Sequence, residues 1–78
     1  MSDVSLIYTT WPDEESARTA AGKLLEARLI ACANLLPGGT SFYQWKGKMQ
    51  AEAEWVMILK TAQATECTER IKALHPYE

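Results

Sequence analysis

The sequence predicts one α+β domain with the element order β-α-β-β-α. Three observations carry this reading. Three extended runs are rich in β-branched and aromatic residues, two other stretches repeat apolar residues at helical spacing, and the chain of 78 residues has no room for a second core. Residues 1–78 are therefore read as a single domain, with no internal repeat, linker or low-complexity segment.

The first run, Val4 to Trp11, reads as a strand that Pro12 ends, because proline has no N–H for a sheet ladder. Asp13 then suits an N-cap, and Glu14 and Glu15 suit the positive end of a helix dipole. Ala17, Ala20, Ala21, Leu24 and Leu25 follow as one apolar face. Gly22 within that helix is unfavourable by about 1 kcal/mol relative to alanine, so its presence predicts close packing on a sheet. The second strand begins near Ile30 and runs through Leu36. Pro37-Gly38-Gly39 predicts a bulge or kink, after which Thr40 to Trp45 continues the strand. Lys46-Gly47 reads as a tight hairpin tip, and Lys48 to Thr61 as the third strand. Ala62 to Leu74 is the second helix, with Ala64, Cys67, Ile71 and Leu74 on one stripe, ended by His75-Pro76.

This order is a split β-α-β, the ferredoxin-like arrangement, without its fourth strand. The first strand is then expected to have an open apolar edge, and the chain to be shortened at its C-terminal side or completed by another chain. The strand faces predict assembly more directly. On the third strand Trp55, Met57 and Leu59 lie on one face, and Val56 and Ile58 on the other. The first strand also has apolar residues on both faces, Leu6 and Tyr8 opposite Ile7 and Trp11. Two helices cover only one face, so a partner subunit is expected on the second. Strands two and three are long enough to extend past the sheet as an arm. Its Phe42, Tyr43 and Trp45, with Trp55, need either a neighbouring subunit or one another.

Composition narrows the function classes. Eight Lys and Arg against ten Asp and Glu give a net charge of −2, which argues against a nucleic-acid or anionic-membrane partner. No apolar run is long enough to span a bilayer, and Met1-Ser2-Asp3 has no basic leader character. Two cysteines 35 positions apart cannot make a disulfide framework, so a reducing, cytoplasmic setting is expected.

Thr9-Thr10-Trp11-Pro12-Asp13, Cys32-Ala33-Asn34, Pro37, Ser41, Tyr43, Trp45 and Gly47 occur in order, followed by Glu54, Lys60-Thr61 and His75-Pro76-Tyr77-Glu78. Together they resemble the CutA divalent-cation-tolerance family over nearly the whole chain. The resemblance implies a ferredoxin-like, PII-like subunit of a homotrimer whose open sheet faces pack around the threefold axis and whose arms reach neighbours. It also implies a continuation past His-Pro-Tyr-Glu with a fourth strand and a short helix. Its functional implication is tolerance of copper and other divalent metals, with copper(II) bound by some members. Members proposed to bind copper have a cysteine near the end of strand one and a histidine pair before Pro-Tyr. Here Thr9 and Leu74-His75 stand at those places, so only His75 matches.

His75, the only histidine, is thus the first candidate metal ligand, and Glu78 or an acid of another chain could join it. The plain alternative is a histidine that bonds the last carbonyls of its own helix. Cys32 is the second candidate, with packing as a small buried hydrophobe as its alternative; Cys67 reads as core. Tyr43, Trp45, Glu54 and Lys60 could line an inter-subunit cleft for a small ligand, or form only packing and salt-bridge contacts. No phosphate loop, HExxH or CxxC pattern exists, and no catalytic set is formed, so no organic cofactor and no enzyme activity are expected. Three functions follow from these features: a trimeric copper(II) or divalent-cation tolerance protein, a PII-like small-molecule sensor, and a structural trimer that anchors an unidentified protein partner.

Overall fold

In the computed structural model residues 3–75 are described, and they form β1 (Ser5–Trp11), α1 (Glu14–Glu26), β2 (Cys32–Trp45), β3 (Lys48–Thr61) and α2 (Ala64–Leu74). The sheet order is β1-β3-β2, antiparallel throughout. Among the described residues β1 is therefore an edge strand, as the topology predicts. The expected fourth-strand position and the closing Pro76-Tyr77-Glu78 lie outside the described residues.

Local chemistry sets each boundary. The Asp13 carboxylate accepts from the Ser16 backbone N–H at 2.7 Å and caps α1. In the long β2–β3 ribbon the register moves from Leu36↔Val56 to Gly39↔Glu54, which places one extra residue on β2 at Pro37-Gly38. Gly38 takes φ +84°, and a Cβ on Gly39 would stand 3.0 Å from the Val56 side chain and 3.1 Å from the Glu54 carbonyl oxygen. The bulge thus needs glycine twice, once for conformation and once for space. At the tip, Lys46 and Gly47 both have positive φ, 52° and 78°, as a two-residue type I′ turn requires.

Three expectations change, the first at β2, which starts at Cys32 rather than near Ile30. The second helix starts at Ala64, two residues later than Ala62. Thr61 is the reason: its buried hydroxyl accepts from the Gln63 N–H at 2.8 Å and donates to the Leu29 carbonyl, which holds the chain in a bend before the helix. Gly22 is exposed, and a Cβ there would meet nothing within 4 Å, so it is not a point of close helix–sheet contact. The packing is made by its neighbours Ala17, Ala20 and Leu24.

Those three residues meet Trp11, Ile30, Met57, Leu59, Cys67 and Ile71 in the core between the helices and one sheet face. The other face is open. The register aligns its rows as Cys32–Lys60–Leu6, Asn34–Ile58–Tyr8 and Leu36–Val56–Thr10. Leu6 and Tyr8 are about two-thirds exposed, at 67% and 68%, and Leu36 is 48% exposed. Beyond this body the ribbon continues as an arm, giving a molecule 46 Å long and 22 by 20 Å across. Phe42 and Trp45 remain 70% and 63% exposed on it, so the arm aromatics do not pack on one another.

Candidate functional site

The end of β1 and the end of α2 meet at a cluster of polar and aromatic contacts. α2 runs back along the sheet from the end of β3, so its last turn arrives beside the last residues of β1. There His75 Nε2 lies 2.6 Å from the Thr10 carbonyl oxygen. The imidazole also stacks on Trp11, with ring centroids 4.2 Å apart and planes tilted by 33°. Trp11 is fully buried, and its Nε1–H donates to Thr9 Oγ1 at 2.7 Å. That hydroxyl in turn donates to the Met57 carbonyl of β3 at 2.8 Å. His75 is therefore half-buried and held by a partner 65 residues away. Its backbone N–H serves its own helix, bonding the Ile71 carbonyl at 2.8 Å.

Thr10 and Trp11 were legible as part of a strand, but not as partners of His75. The available signal was topological: a β-α-β-β-α order returns the second helix to the end of the first strand.

Cys32 occupies the opposite end of the sheet. It is half-buried on the open face and aligned through Lys60 with Leu6. Leu6 is four residues from Thr10, about 13 Å along the strand. One protomer thus does not bring Cys32 to His75. Among the described residues no three His, Cys, Asp or Glu side chains cluster as a metal would require. The described chain offers a cation one oriented imidazole, which matches the way a metal-binding histidine is usually held, and no complete ligand set. The candidate acid Glu78 lies outside the described residues. Cys67 is fully buried in the core, and burial raises its thiol pKa above the ordinary value.

Tyr43, Trp45, Glu54 and Lys60 follow one side of the ribbon. Tyr43 and Trp45 pair with Gln50 and Lys48, which share the even register of Glu54 and Lys60 on β3. From Lys48 to Lys60 is twelve residues, about 40 Å, so these four do not form a cleft in one protomer. Their local partners are nearer. The Tyr43 hydroxyl donates to Glu52 at 2.6 Å, and this bond holds the phenol proton to higher pH than usual. Glu54 is buried beside Gly39 at the bulge.

The family model described as CutA1 divalent ion tolerance protein matches residues 5–78. The chain belongs to the CutA1 divalent ion tolerance family. A divalent-cation tolerance protein CutA from Thermus thermophilus is 47% identical over 79 residues, covering 99% of this chain and 75% of that protein. Protein CutA from Mus musculus is 42% identical over 77 residues; this chain spans 96% of its own length there but only 44% of the mouse protein. The crystal structure of the divalent ion tolerance protein CutA1 from Ehrlichia chaffeensis matches with TM-score 0.94 at 42% identity, covering 99% of this chain and 74% of that one. The β-α-β-β-α ferredoxin-like fold is thereby established, and divalent-cation tolerance is the general role its family name gives. That name refers to tolerance of ions and not to a reaction. Among the described residues no helix is long and apolar enough to cross a membrane.

Proposed function

We propose that this chain works as a non-enzymatic homotrimer in divalent-cation tolerance, binding copper(II) or a related ion with His75 as a nitrogen ligand. The open sheet face supports this reading most strongly. Leu6, Tyr8 and Leu36 surround the half-buried Val56 and Ile58 there, in a layer no helix covers. A contiguous apolar layer of this kind is a poor solvent boundary and a good subunit interface. Three copies meeting through it would bury the face, and would place Cys32 and its Lys60 row near other copies rather than near their own His75. The remaining donors of the cation site would then come from outside the protomer. A cytoplasmic setting belongs to the same proposal and fits the two free thiols, Cys32 and Cys67.

Light scattering combined with copper(II) titration tests it. The expected species is three times the 8.7 kDa chain, binding copper with an affinity that His75→Ala reduces at least tenfold. Unchanged affinity in that variant removes His75 from the site, and a trimer that takes up no copper removes cation binding from the proposal.

The Tyr43–Glu52 bond favours one second reading, a PII-like sensor with a small ligand between subunits. Tyr43, Trp45, Glu54 and Lys60 could reach one cleft only through assembly, because the chain spreads them along the ribbon. Calorimetric titration with nucleotides, set beside the copper titration, separates the two readings by which compound releases heat.

A further inference from the structure

We draw no further inference here: the strongest candidate, the apolar groove between α1 and β2 lined by Gly22, Leu25, Ala33 and Leu35, carries nothing, because the Arg18 guanidinium at its rim is already bonded to Glu14 and nothing in the structure shows what covers it.

Discussion

Gly22 and Gly39 are the same residue type in opposite circumstances, and they predict opposite outcomes. At Gly22 an added methyl meets nothing within 4 Å, and the backbone is helical. Gly22→Ala should therefore stabilise the fold by about 1 kcal/mol, read as a higher thermal midpoint at equal protein concentration. At Gly39 the same methyl presses on the Val56 side chain at 3.0 Å and on the Glu54 carbonyl oxygen at 3.1 Å. The backbone oxygen cannot retreat without disturbing the ladder, so Gly39→Ala should cost about 1–3 kcal/mol. A single sequence shows only that both positions are glycine. Whether the space beside each is filled depends on residues far along the chain, so no local pattern shows that the helix glycine has open space beside it. The Pro-Gly-Gly run carried its own local signal.

Cys67 gives the residue-scale pH dependence. Unfolded, its thiol titrates near the reference value of 9.0; folded and buried, it keeps its proton to higher pH. The protonated thiol's contribution is therefore complete below that reference value and is lost as pH rises through the folded one. Denaturation followed from pH 7 to 11 should show stability falling on the alkaline side, with a shallower fall in Cys67→Ala. An identical slope in both proteins would assign the alkaline loss to other groups.

At the scale of elements, boundaries depended on how local their cause was. Asp13 caps α1 through a contact three residues away, and the sequence showed it. The start of α2 depends on Thr61, whose hydroxyl joins the Gln63 N–H to the Leu29 carbonyl 32 residues earlier. No local pattern contains Leu29, so the sequence predicts a helix two residues longer than the one that forms. Thr61→Val keeps the volume and removes both bonds. It leaves a carbonyl and an N–H without this partner, so a loss of about 1–3 kcal/mol is expected, with faster hydrogen exchange in the first turn of α2 than in α1. Equal protection in both helices would show that the bend holds without its hydroxyl. The candidate site divides in the same way: His75 was visible as a residue type, while its contacts with Thr10 and Trp11 exist only after the chain has closed.

At the scale of the whole molecule, the question is what covers the sheet. The core on the helix side is complete, with Trp11, Met57, Leu59, Leu24 and Cys67 fully buried. Substitutions on the opposite face should therefore separate assembly from folding. Tyr8 stands in the central row beside Ile58, two-thirds exposed in the protomer, and belongs to no core cluster. Tyr8→Glu would place a carboxylate at the middle of the proposed interface, where each copy would have to take it out of water at a cost that its diagonal neighbour Lys60 offsets only in part. The expected result is a lower oligomer mass by light scattering together with a far-ultraviolet dichroism spectrum that keeps its helix and strand content. Tyr8→Phe should assemble as the native chain does, because it keeps the apolar ring and removes only the hydroxyl. If Tyr8→Glu retains the native mass, the subunits meet elsewhere, and the arm with its exposed Phe42 and Trp45 becomes the surface to mutate next. If it unfolds instead, this face stabilises the protomer itself, and assembly cannot be separated from folding in this chain.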